Sequence, residues 1–126
     1  MTFDDFAANA AKTVFYRTDN NDANLLYAVA SLAGETGEVC EVIKKTISTY
    51  DNKLTHDRYE LVTKELGDVL WSVSTLLNEL NLWYTRSLPA GKTVVVHSLG
   101  TIAKANNDKL ADRAARGVLH GDGDNR

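Results

Sequence analysis

A single cysteine, Cys40, in a chain of 126 residues rules out an intrachain disulfide and a multi-cysteine zinc site. A single proline, Pro89, falls outside the long periodic segments and leaves them open to extended helix. No apolar run approaches the roughly 20 residues that a membrane span requires, and no secretory signal precedes the first helix. The expectation is a soluble, cytoplasmic protein. Neither sign of charge dominates: 14 Lys+Arg against 17 Asp+Glu leave a net −3. Nothing general therefore draws the chain to nucleic acid or to an anionic membrane, and a phosphate-bearing partner has to be gripped locally. Internal repeats, linkers and low-complexity stretches are missing too, so residues 1–126 read as one domain. At this length folding hides about 65 to 70% of the unfolded surface, and 44% hydrophobic residues can supply the core.

What is present is helical periodicity. Thr2, followed by acids at Asp4 and Asp5, caps a first helix that carries Phe3, Phe6, Ala10 and Val14 and is expected to run to about Phe15. The Asx-rich stretch from Arg17 to Asp22 is a loop. Leu25, Val29, Leu32, Val39, Ile43 and Ile47 then form one apolar stripe on a long second helix, interrupted by Gly34 and Gly37. Two helical glycines suggest close approach by another backbone or a ligand. After a break at Tyr50–Leu54, Thr55 caps a third helix to about Leu82, with Val62, Leu66, Val69, Val73, Leu76, Leu77 and Leu80 at helical spacing. These two helices make a long antiparallel hairpin. Pro89-Ala-Gly91 is a turn, and Thr93–Val96 prefers extended structure, as an arm or paired with the same segment of another subunit. Ser98 caps a last helix that Gly117 stops. The fold class is an all-α helical bundle, completed by oligomerisation.

The carboxylates are the informative feature. Glu35 and Glu38 stand three residues apart on the second helix, as Glu65 and Asp68 do on the third. At about 100° per residue, Glu35 and Glu38 lie about 80° and 140° to one side of their stripe, and Glu65 and Asp68 roughly 70° and 130° to the same side of theirs. The two-fold relation of an antiparallel pair places both acid pairs on one side of the hairpin, at equal heights about four turns from the loop. Four gathered acids repel and lose hydration, which raises their pKa values or demands a cation. An all-oxygen set suits Mg²⁺ or Mn²⁺.

The stretch Leu32-Ala-Gly-Glu-Thr-Gly-Glu-Val-Cys-Glu-Val-Ile-Lys-Lys45, with Glu65-Leu-Gly-Asp-Val-Leu-Trp71, resembles the E-x-x-E … E-x-x-D signature of MazG-like nucleoside triphosphate pyrophosphohydrolases. Asn106–Arg113, Gly117 and the tail Gly121–Arg126 are similar to the C-terminal pattern of a subgroup frequent in phages. The resemblance implies an all-α fold, magnesium dependence and a homo-oligomer, a dimer or tetramer. It also implies hydrolysis of a nucleoside triphosphate to the monophosphate and pyrophosphate. Glu35, Glu38, Glu65 and Asp68 would then be metal ligands, one of them a general base. Lys45, Asn106, Lys109, Arg113 and Arg126 are the candidate phosphate ligands. The connection from Leu82 to His97 is longer than in the relatives. Alternative readings are a phosphoribosyl-ATP or alarmone pyrophosphohydrolase, or a non-catalytic helical interaction module.

The remaining signals are weaker. Trp71, Tyr27 and Tyr16 can stack a base, but on long helices such residues are usually core or interface. His56, His97 and His120 lack metal-ligand spacing, and Cys40, beside the stripe without a His partner, is expected to be a buried inert thiol. Asp122-Gly-Asp124 begins like a calcium loop that the chain is too short to complete, which leaves a tail able to close on nucleotide.

Overall fold

The computed structural model describes residues 1–120, and all regular structure among them is helical. Arg126 and the Gly121–Arg126 tail lie outside the described residues. Helix α1 spans Phe3–Ala10 and continues as one 3-10 turn, Ala11–Thr13. It opens on a capping box: Asp5 N donates to Thr2 Oγ1 at 3.0 Å, and Thr2 N to Asp5 Oδ2 at 2.7 Å. The helix ends two residues before Phe15, with Val14 already extended. The reason is tertiary. Trp71 Nε1 donates to Thr13 Oγ1 at 2.8 Å, and Arg17 reaches Glu79 at 3.3 Å, so the chain is drawn out along the third helix.

Helix α2, Asn21–Thr49, starts four residues before the apolar stripe because Asn20 caps it, accepting from Ala23 N at 3.0 Å. Asn24 clips the preceding loop in place: its Oδ1 accepts from Thr18 N and its Nδ2 donates to Thr18 O, both at 2.9 Å. Asp51 and Asn52 take left-handed backbone in the hairpin turn, a conformation Asx side chains tolerate. Helix α3, His56–Arg86, is capped by Thr55 as expected and runs four residues beyond Leu82. Lys92 N then donates to Pro89 O across a turn in which Gly91 has φ +82°. Thr93–Val96 forms no strand among the described residues, and Val95 is 97% exposed.

Helix α4, Leu99–Ala115, begins at the Ser98 cap and ends in a Schellman motif, with Val118 N on Arg113 O at 2.9 Å and Gly117 at φ +71°. Its first turn is held by α1, because Gly100 N donates to Asp4 Oδ1 at 2.8 Å. A carboxylate there also suits the positive end of the helix dipole.

Helices α2 and α3 pack along their whole length as the antiparallel hairpin. Their contact seam is not the apolar stripe. Asn24, Ala28, Val42 and Thr46 of α2 and Ser72, Thr75 and Glu79 of α3 are buried. The stripes flank this seam on one side, and Val29, Ile43, Ile47, Leu66 and Leu80 remain between 40 and 58% exposed. Helix α1 covers a different face of α3, near Trp71, Ser74 and Asn78. Cys40, expected to be buried beside the stripe, is exposed, because at about 100° per residue it lies on the side of the stripe away from the seam.

Glycine separates two cases. A Cβ added at Gly100 would come within 2.9 Å of the Asp4 carboxylate, whereas one at Gly67 would meet nothing within 4 Å. Gly100→Ala is therefore expected to lower stability by about 1 kcal/mol through loss of the Asp4 contact, and Gly67→Ala to raise it by about 1 kcal/mol. Urea denaturation of both variants checks the opposite signs.

Candidate metal centre

Three of the four acids singled out in the sequence meet across the seam. Glu35 from α2 and Glu65 and Asp68 from α3 each offer a carboxylate oxygen within 4.8 Å of the others. Glu35 and Glu65 are half-buried and Asp68 is exposed. Glu38, one turn along α2 and exposed, lies outside this group of three but adds its charge to Glu35. The helical period brings the acids of each helix onto one flank, and the hairpin brings the two flanks together.

The electrostatics follow from that convergence. The Glu35 carboxyl is pushed above the usual range by partial burial first, then by the charges of Asp68, Glu65 and Glu38. Hard oxygen donors, mutual repulsion and an open side are what a divalent cation requires; the donor set fits Mg²⁺ or Mn²⁺.

The described candidate phosphate ligands have other neighbours. Lys45 pairs with Glu41 at 3.3 Å, and Lys44 pairs with the same carboxylate. Glu41 is held below its usual range by these two lysines. Asn106 and Lys109 share a shallow surface with His97, Ile102 and Ala105, while Arg113 is 4% exposed on α4. Helix α4 packs on α1, and none of the four acids lines that surface. A cavity of about 330 Å³ between α1, α3 and the start of α4 is lined by Ala7, Ala8, Ala11, Leu77 and Asn78, again without any of the four acids. The chemistry, not the cavity, marks the site.

The aromatic residues have structural partners. Tyr16 and Tyr27 stack on each other with ring centroids 4.2 Å apart, and Phe15 meets both edge-on. Among the described residues, a Cβ added at Gly34 or Gly37 would meet nothing within 4 Å beyond its own stretch of helix, so the close approach expected there is not made by another described segment.

Sequence reasoning missed the side chains that tie α2 to α3 on either side of the acids. Arg58 Nη2 donates to Val42 O at 2.6 Å and Nε to Thr46 Oγ1 at 3.0 Å, with the guanidinium 4.6 Å over the Tyr50 ring. On the other side Ser31 and Ser72 are hydrogen-bonded at 3.1 Å. A signal existed: Asn24, Ala28, Ser31 and Glu35, with Glu65, Asp68, Ser72, Thr75 and Glu79, recur at three and four and define a polar second stripe on each helix.

With the geometry in place, the similarity to known proteins becomes interpretable. Residues 24–89 match the family model described as the MazG nucleotide pyrophosphohydrolase domain. That segment contains α3 and nearly all of α2, with all four acids. The chain belongs to this family of nucleotide pyrophosphohydrolases. It is also 35% identical over 102 residues to the Gene 37 protein of Mycobacterium phage L5, covering 81% of this chain and 76% of that protein. No solved structure matches.

The raised Glu35 pKa fixes the sign of a pH effect. A carboxyl that holds its proton more tightly when folded favours folding while protonated, and that advantage is lost as pH rises through its folded value. Without metal, Glu35→Gln is therefore expected to match the wild type near pH 4 and to be the more stable protein at neutral pH. Thermal unfolding in EDTA across that range tests this, and added Mn²⁺ should reverse the order at neutral pH.

Proposed function

We propose that this protein hydrolyses a nucleoside triphosphate to the nucleoside monophosphate and pyrophosphate, with Mg²⁺ as the cofactor. The observation that carries the reading is the meeting of Glu35, Glu65 and Asp68 from two helices within 4.8 Å. Family membership supplies the reaction class, a nucleotide pyrophosphohydrolase. Glu35, Glu38, Glu65 and Asp68 would hold the metal, which when bound neutralises phosphate charge and makes water a better nucleophile. In the reaction a water oxygen bonds to the α-phosphorus, the α–β bridging P–O bond breaks, and pyrophosphate leaves with the bond electrons. A carboxylate of the set takes the proton released by the water.

Phosphate oxygens outside the metal's reach need other partners, and Lys45, Asn106, Lys109, Arg113 and Arg126 are the proposed donors. A soluble, cytoplasmic protein is part of the proposal; no described helix is long and apolar enough to cross a membrane. The half-exposed stripes of α2 and α3 are proposed to be covered by a second copy, which gives the hairpin an apolar core it lacks alone.

Two outcomes test this reading. Pyrophosphate release should appear with one or more nucleoside triphosphates and require a divalent cation. Glu38→Gln and Asp68→Asn should each lower kcat by at least about a hundredfold while the helical signal is retained. Phosphoribosyl-ATP and an alarmone belong in the same panel, and exclusive turnover of either would replace the triphosphate assignment. Absence of release from any nucleotide would leave a helical interaction module. Separately, sedimentation at micromolar concentration should show a dimer or tetramer, and Leu66→Asp should shift it toward monomer.

A further inference from the structure

Ser31 stands one turn before Glu35 on α2, and Ser72 one turn after Asp68 on α3. Their hydroxyls meet at 3.1 Å across the seam, and Ser72 is fully buried. The distance between packed helices depends on the side chains at the contact, within about 8 to 10 Å. Two serines touching through oxygen permit close approach; carbon atoms in the same place need about 3.5 to 4.0 Å. Beyond Ser31 and Ser72 the seam continues with Ala28 and Thr75, both buried. On the opposite side of the acids, Arg58 ties α3 to Val42 and Thr46. The carboxylates, which repel one another, therefore sit between two cross-helix ties that touch none of them.

We propose that Ser72, packed against Ser31, is a positioning residue whose small size sets the α2–α3 spacing at which Glu35, Glu65 and Asp68 can share one divalent cation. This rests on the metal-binding reading above. Metal–oxygen distances tolerate only about 0.2 Å of error, so an added methyl group one turn away is enough to spoil the donor set. Residues that support metal ligands without touching the metal typically change affinity by about 10- to 100-fold.

The test is Mn²⁺ binding by electron paramagnetic resonance, with circular dichroism in EDTA as the control for folding. Ser72→Val is expected to weaken Mn²⁺ binding about tenfold or more, whereas Ser72→Ala, which keeps the close approach, should stay within about threefold. A purely structural role would lower the unfolding temperature of both without separating their Mn²⁺ affinities. A folded Ser72→Val with wild-type affinity overturns the proposal, as does Ser72→Ala weakened as much as Ser72→Val. Should Ser72→Val fail to fold, Ser72→Thr adds one methyl and keeps the hydroxyl; a three- to fivefold loss is expected from the smaller intrusion, and wild-type affinity overturns the proposal. Failure of the wild type itself to bind Mn²⁺ removes the metal reading and this inference together, while wild-type binding that Ser72→Val leaves untouched removes this inference alone.

Discussion

The rest of the molecule depends on two long helices being held together along a polar seam. Where a hairpin of this length ordinarily buries leucine and valine, the buried residues of α2 and α3 are mostly polar or small: Asn24, Ala28, Val42 and Thr46 on α2, and Ser72, Ser74, Thr75 and Glu79 on α3. Small and hydrogen-bonded side chains make such a contact tolerable, because each buried polar group needs a partner. Thr46 Oγ1 bonds back to Val42 O at 2.9 Å, Thr75 Oγ1 to Ser72 O at 3.1 Å, and Glu79 accepts from Arg17. A seam already built for polar groups can carry a cluster of acids in its middle, which an apolar seam could not.

The same choice displaces the hydrophobic residues. With the seam given to polar side chains, the apolar stripes of both helices come to lie side by side on one outer face. The hydrophobic effect then acts mainly on that face instead of between the two helices, and the single chain leaves it substantially open. Acids and stripe are thus coupled by geometry: the rotation of each helix that turns its acids toward the seam leaves its apolar stripe on the seam's flank, partly open.

Around the hairpin, the smaller elements act as fasteners. Helix α1 is anchored to α3 through Trp71 and Thr13 and to the start of α4 through Asp4 and Gly100. Asn81 Nδ2 donates to His97 O at 2.8 Å and brings the end of the long connection back to α3. These are single polar contacts between segments far apart in the chain, and each sets a direction more than it adds stability.

Helical periodicity, caps and turn chemistry are local, so the chain alone determined the all-α class, the Thr2, Thr55 and Ser98 caps, the Gly117 stop and the hairpin. The relative phase of acids and stripes is also a local quantity; from it all four acids are expected to converge, and Glu35, Glu65 and Asp68 do, while Glu38 lies outside the group. What only the tertiary structure decided are the features that depend on two segments meeting. The end of the 3-10 turn after α1 at Thr13 follows from its docking on Trp71, and the exposure of Cys40 follows from which stripe became the contact. The surface that Asn106 and Lys109 share with His97, Ile102 and Ala105 follows from α4 packing on α1. The polar stripe that became the seam was written at the same spacing as the apolar one. Periodicity assigns residues to faces but not faces to partners, and the choice between two regular faces is made only when the helices pack.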